Sequence, residues 1–247
     1  MITACAARFS MVSILLLLSI CPSGATPPQG GLTFHADDPA YSFSFTPEQA
    51  KNQYIGNFVR WAVEDIGNIP NPEALLAVGS SSMRYWKTIE EDLAPLTIVH
   101  RGFGGSRMRD VVLFQDFFER YKPKRILVYE GDNDLAGHWT EVDRDFIRPS
   151  LRFIEYVREH LPETEIYFLS IKPSPARKNA TERFEAANSW LRETAAGDPK
   201  LHYIDIYNPM LRPDGEVEPS LFKKDRLHMN EKGYKIWTEV VREALAL

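Results

Sequence analysis

Serine, histidine and aspartate stand in this chain in an arrangement suited to acyl transfer. Near the C-terminus lies Asp225-Arg226-Leu227-His228, a carboxylate and an imidazole close enough to share one tight turn. A serine hydroxyl is a weak nucleophile until an imidazole takes its proton, and a carboxylate fixes the tautomer of that imidazole and steadies the imidazolium that forms. Far upstream, Gly79-Ser80-Ser81-Ser82 offers three candidate hydroxyls. Between these ends, Gly102-Phe103-Gly104-Gly105-Ser106 and Gly131-Asp132-Asn133-Asp134 can each set a hydrogen-bond donor beside the nucleophile. Four separated blocks in a workable order are much harder to obtain by chance than any one of them.

The elements that must position these blocks are legible as alternating apolar runs and amphipathic stretches, the pattern of a parallel sheet covered by helices on both faces. Leu75–Val78, Leu96–Val99, Ile126–Tyr129, Ile166–Leu169 and His202–Ile206 read as five strands. Helical spacing links Met108, Val111, Val112, Phe118 and Tyr121, then Ile147, Leu151, Ile154, Val157 and Leu161, then Phe184, Ala187 and Leu191. A C-terminal helix follows at Tyr234, Trp237, Val241 and Leu245. The expected fold is α/β, a three-layer α/β/α sandwich on a five-stranded parallel sheet. Three of the four blocks begin where a strand ends, and the carboxyl ends of strands in an open α/β sheet form the crevice where ligands bind.

The succession of a Gly-x-Ser block, a glycine block, a Gly-x-Asn-Asp block and an Asp-x-x-His block resembles the SGNH hydrolases, also called the GDSL lipase/acylhydrolase family. The match runs from about Ala74 to the C-terminus, with one departure: the Gly-Asp-Ser of the family reads Gly79-Ser80-Ser81 here. The Gly-Ser-Ser-Ser wording looks like a secreted bacterial branch. The resemblance implies the flavodoxin-like strand order 2-1-3-4-5 and aligns Ser81 with the nucleophile. It implies His228 as general base and Asp225 as its orienting acid, and because that acid lies in the last block, the change at Ser80 leaves the triad whole.

An ester carbonyl under attack becomes an oxyanion and needs donors aimed at it. The backbone N–H groups of Ser81 and Gly105 and the side-chain amide of Asn133 are the expected three. Gly105 equally suits a turn that requires positive φ, and Asn133 equally suits a turn-holding role. Arg84 and Arg107 stand beside the blocks as candidate substrate-binding residues, although charged surface explains them as well. Trp86, Trp139 and Lys172 are placed similarly, and His100 and His138 lie near strand ends. Asp132 and Asp134 suggest a cation loop, but two carboxylates without further ligands at suitable spacing fall short of a hard-cation site. No metal and no organic cofactor is expected.

The segment from Met1 to Ala25 differs from the rest: a lone Arg8, the apolar run Met11–Leu18 and small residues ending Ser23-Gly24-Ala25. That is the pattern of a signal peptide, and the run is too short to span a bilayer as a helix. Both cysteines, Cys5 and Cys21, fall inside it. Lipoprotein anchoring through Cys21 is the minority reading, because Ile20 stands where a small residue is expected. Residues 26–70 read as an N-terminal extension whose one helix, packed on the core, starts at Thr46-Pro47-Glu48-Gln49 and shows an apolar face of Tyr54, Phe58, Ala62 and Ile66. Residues 71–247 form the hydrolase domain.

With 44% hydrophobic and 26% charged residues the make-up is globular, and a formal charge of -5 makes nucleic acid or anionic lipid a poor partner. The expected protein is a secreted or periplasmic serine esterase without stable membrane insertion. It acts on small-molecule or carbohydrate esters of short acyl groups, acetyl first. A lysophospholipase or thioesterase is the alternative enzyme, and a catalytically silent binding domain the alternative from another class.

Overall fold

The computed structural model describes residues 33–34, 43–66 and 70–247. The segment read as a signal peptide, with both cysteines, lies outside the described residues. The chain forms two compact units, residues 1–69 and 70–247.

In the first unit, β1 (Thr33–Phe34) pairs antiparallel with β2 (Phe43–Ser44). Helix α1 (Pro47–Lys51) opens on a capping box in which Gln49 N donates to Thr46 Oγ1 at 3.2 Å and Thr46 N donates to Gln49 Oε1 at 2.8 Å. The sequence pattern suggests one helix continuing to Ile66, but α1 ends at Asn52 and α2 (Ile55–Glu64) starts afresh. Asn52 is the physical reason. Its side chain accepts the Tyr54 N–H at 2.9 Å, a local bond that competes with the helical ladder. Tyr54, Phe58 and Ala62 are nonetheless buried.

The second unit is built on five parallel strands: β3 (Leu75–Gly79), β4 (Ile98–Gly102), β5 (Arg125–Tyr129), β6 (Glu165–Leu169) and β7 (Leu201–Ile204). Their spatial order is β4-β3-β5-β6-β7, the 2-1-3-4-5 order expected of a flavodoxin-like sheet. Strand β4 begins two residues and ends three residues later than its apolar run. It is an edge strand, so the half-buried His100 and Arg101 can continue it with one side in water.

Side chains alternate across the sheet. Leu75, Ala77, Leu127, Tyr129, Tyr167 and Leu169 face one way. There they meet α3 (Ser81–Arg84), α4 (Ile89–Asp92) and α9 (Glu231–Ala244), with Trp237 packed edge-on against Trp86 at 5.7 Å and tilted against Tyr129 at 4.8 Å. The other face is covered by α5 (Met108–Leu113), α6 (Gln115–Glu119), α7 (Arg148–His160) and α8 (Thr181–Ala196); Phe153 of α7 meets Phe168 of β6 edge to face. The single helix expected around Met108–Tyr121 divides at Phe114. In the first turn of α6, Asp116 Oδ1 accepts the N–H of Phe117 at 2.9 Å alongside the Phe114 carbonyl at 3.0 Å.

Gly102, at the end of β4, lies directly against α3. A Cβ at that position would come within 2.5 Å of the Arg84 backbone nitrogen and 2.6 Å of its Cα. Neither atom can step aside alone, so Gly102→Ala must move the helix that carries Ser81. The expected loss is about 1–3 kcal/mol, the usual cost of overpacking. Urea unfolding measures it, and an unchanged midpoint contradicts the packing argument.

Candidate active site

Helix α3 is only one turn long, so its placement depends on bonds from its neighbours. Ser80 N donates to the Tyr129 carbonyl at 3.1 Å, Tyr234 Oη to the Ser82 carbonyl at 2.8 Å, and His100 Nε2 to the Met83 carbonyl at 2.8 Å. His100 is thereby a structural tether. Burial is the main reason its pKa falls below the ordinary histidine value, which favours the neutral ring that makes this bond. Ser80 and Ser82 are fully buried, whereas Ser81 is half-exposed. Of the three hydroxyls, Ser81 is the one that meets an imidazole.

That imidazole is His228, whose Nε2 lies 2.9 Å from Ser81 Oγ while its Nδ1 lies 2.7 Å from Asp225 Oδ2. An ionised carboxylate only accepts, so Nδ1 carries the proton and Nε2 is left free to accept from the serine. The other Asp225 oxygen accepts the backbone N–H groups of Leu227 and His228, both at 3.0 Å. Partial desolvation pushes the Asp225 pKa up, but the imidazole bond and the two backbone bonds outweigh it and hold the carboxyl at about 2. The turn is closed by Lys223 N donating to the His228 carbonyl at 2.8 Å and by Ala176 N donating to the Arg226 carbonyl at 3.0 Å. Tyr85 sets its ring edge-on to His228 at 4.9 Å.

The glycine block comes to the same place. A Cβ on Gly104 would be 3.6 Å from Ser81 Cβ, so this loop runs directly past the nucleophile candidate. Gly105 follows with φ 87°, a left-handed conformation that a side chain would strain. The Asn133 amide donates to the Ser106 carbonyl at 3.0 Å, which binds the third block to the second and leaves Nδ2 one further hydrogen. Ser106 is held in turn by Glu130, its Oγ donating to Oε1 at 2.5 Å in a fully buried contact. Neither Glu130 nor Ser106 was legible as a site residue. Ser106 closes the glycine block and Glu130 stands one position before the third block, and only their burial together reveals the link.

The two aspartates of the third block are engaged by groups of the protein itself. Asp132 pairs with Lys172 at 3.0 Å, both side chains being almost wholly buried, and Lys172 Nζ lies 5.8 Å from the Tyr129 ring centre. Asp134 accepts the backbone N–H groups of Met108 at 2.8 Å and Gly131 at 3.1 Å. Of the candidate substrate residues, Arg84 is exposed with its guanidinium 5.9 Å from the Tyr85 ring centre. Arg107 is exposed at the start of α5, its backbone N–H donating to Asp110 at 3.0 Å. Trp86 belongs to the core, and Trp139 is 91% exposed.

The charge state of the buried carboxyls follows from desolvation. Burial, above all, and then Asp134 push the Glu130 pKa well above its usual range; burial also lifts Asp134 to about 7, although its backbone bonds pull the other way. Asp132 is the opposite case, since Lys172 overcomes its desolvation and keeps it low.

Comparison with known proteins gives the family and the fold. The model of the GDSL-like Lipase/Acylhydrolase family matches residues 76–236. Platelet-activating factor acetylhydrolase IB subunit alpha1 from Pongo abelii and from Homo sapiens are each 26% identical over 147 residues, covering 58% of this chain and 62% of theirs. The chain therefore spans less than two thirds of the length of these curated relatives. A GDSL-like lipase from Bacteroides thetaiotaomicron superposes with a TM-score of 0.65 at 19% identity, covering 77% of this chain and 97% of its own. A carbohydrate esterase family 3 protein from Talaromyces cellulolyticus gives 0.53 at 16%, covering 70% and 96%. At these identities the structural likeness is one of fold.

Glu130 and Asp134 make stability fall as pH rises. Their folded pKa values exceed the unfolded ones, so the folded state holds protons that the unfolded chain releases above about pH 4, and each such proton costs up to about 1.4 kcal/mol per pH unit until the folded pKa is reached. Between pH 5 and 7 the wild type is expected to lose stability, and Glu130→Gln to lose it less steeply. Urea midpoints across that range read the slopes; equal slopes contradict the assignment.

Proposed function

This chain belongs to the GDSL-like lipase/acylhydrolase family, and on that premise we propose that it is a serine esterase that cleaves short acyl esters, acetyl esters of carbohydrates foremost. One observation carries the reading: the unbroken line from Asp225 through His228 to Ser81, at 2.7 and 2.9 Å, with a glycine loop running past the hydroxyl. In the proposed reaction Ser81 Oγ attacks the ester carbonyl as His228 Nε2 takes its proton, and Asp225 steadies the imidazolium. The tetrahedral oxyanion is held by the N–H groups of Ser81 and Gly105 and by the free hydrogen on Asn133 Nδ2. His228 then gives its proton to the departing alcohol, leaving an acyl-enzyme on Ser81. Water, deprotonated by the same imidazole, releases the acid and restores the serine.

The short acyl group is supported by the closeness of the Gly104 backbone to Ser81, with the Arg84 side chain beside it, which leaves little room around an ester carbonyl on Ser81. The relatives named as acetylhydrolases are consistent with it, as is the carbohydrate esterase of like fold. A lipid ester is the second reading, favoured by the platelet-activating factor acetylhydrolase relatives. We further propose export with removal of residues 1–25, on the apolar run and the small residues that follow it.

Ser81→Ala and His228→Ala are each expected to abolish hydrolysis of p-nitrophenyl acetate, and the double variant to be scarcely worse than either, because triad members act as a unit. A fluorophosphonate probe should label the wild type and not Ser81→Ala; absence of labelling in the wild type points instead to a silent binding domain. Asn133→Ala is expected to lower kcat about a hundredfold with little change in KM. Across acyl lengths, kcat/KM should peak at acetyl to butyryl, since a methylene left in water forgoes about 0.8 kcal/mol of transfer energy. A steady climb to octanoyl overturns the short-acyl reading and favours the lipid one.

A further inference from the structure

The structure holds a cavity of about 470 Å³ that is joined to the His228 neighbourhood through Tyr85 and Met229 and that none of the triad or the proposed oxyanion donors lines. Its walls include Tyr85, whose ring touches His228, and Met229, the residue that follows His228, together with Tyr234 at the start of α9. Three lysines, Lys87, Lys223 and Lys235, converge on it from α3–α4, the catalytic turn and α9. None of the three is drawn into an ion pair among the described residues. Lys223 Nζ lies 4.8 Å from the centre of the Tyr85 ring, which sets an ammonium beside the aromatic wall shared with His228.

Two carboxylates also line the cavity. Asp92 is engaged, its Oδ2 accepting Trp86 Nε1 and Thr88 Oγ1, both at 2.6 Å. Glu231 lies in the first turn of α9, where a negative charge suits the helix end. The cavity is thus a cationic spot on a chain whose formal charge is -5.

Its side of the site gives it a role. His228 must hand its proton to the oxygen of the departing alcohol, so that alcohol lies on the imidazole side of Ser81, while the carbonyl oxygen points to the Gly105 and Asn133 side. A cavity walled by a ring in contact with His228 and by the next residue along is placed for the alcohol half of the ester. We propose that it binds that half of the substrate and selects alcohols carrying an anionic substituent, a phosphate or a carboxylate. This rests on the serine-esterase reading and names the class of ester within it. Lysines suit the task because an ammonium on a flexible stem can meet either anion as a point charge.

The experiment compares esters of one acetyl group that differ only in the charge on the alcohol. 4-Acetoxyphenyl phosphate is set against its dimethyl ester, and 4-acetoxybenzoate against its methyl ester, so that leaving-group acidity changes little. The purified full chain is expected to prefer the anionic member of at least one pair severalfold in kcat/KM, and the two pairs tell phosphate from carboxylate. Raising the salt concentration should shrink the preference, since exposed charges are screened. Lys87→Gln, Lys223→Gln and Lys235→Gln should each lower the ratio of anionic to neutral rates by about twofold, within the size expected for one exposed charge pair. The triple variant should bring it to unity. No anionic preference in either pair, or a preference that survives the triple variant, overturns the proposal. Failure of the underlying reading looks different: all four esters are then hydrolysed equally well by Ser81→Ala, or by neither protein.

Discussion

Parallel pairing in register across three strands sets Gly79 beside Gly102 on one side and beside Tyr129 on the other. Because the strands all run the same way, β3, β4 and β5 end at one level, and three chain segments leave the sheet together. The first becomes α3 with Ser81, the second the loop of Gly104 and Gly105, and the third the turn of Asn133. A slip of one residue in β3 would turn its whole buried face over and lift the serine off the level of the loops that serve it. Strand β3 is buried at all five positions, so the slip would exchange the side chains of its two faces and force each into a space packed for another.

Behind this level edge the molecule buries charge. Asp132 and Lys172 form an ion pair with almost no exposure, and Glu130 and Asp134 are enclosed within the same block. Such groups contribute little net stability, because desolvation offsets most of their attraction. Their consequence is geometric. Glu130 holds Ser106, and Ser106 holds the Asn133 amide, so that the proposed oxyanion donor on this loop is oriented from the protein interior. A donor oriented before the reaction need not be reorganised during it, which is where preorganised dipoles derive their effect.

The Asp225–His228 turn is built differently, from exposed residues braced by short-range bonds. Asp225 is half-exposed, yet three hydrogen bonds to the residues just after it keep it ionised and in place. Local bonds of this kind depend on only four residues, and the turn can therefore arrive over the sheet edge from a long final connection without losing its shape. The tie between Ala176 and Arg226 and the Asn230 cap of α9 then set where it lies.

Much of this was legible in the chain itself. The five strands, their parallel order by way of the family resemblance, and the Asp225–His228 pair follow from patterns spanning at most a few residues, and short-range patterns survive in sequence. The capping box at Thr46 is of the same kind. What the sequence left open were choices between equivalent side chains and contacts between distant ones. Ser80, Ser81 and Ser82 are alike as letters, and among them only the family resemblance points to Ser81; in the structure, burial of the outer two and a 2.9 Å approach to His228 separate them. Lys172 reads as a surface residue until β5 and β6 lie side by side and Asp132 is found opposite it. The break at Asn52 was hidden because a side chain that competes with a helix for one backbone bond leaves the apolar spacing unchanged. Local chemistry is written in the order of residues, whereas exposure, charge state and partnership belong to pairs that only the folded chain brings together.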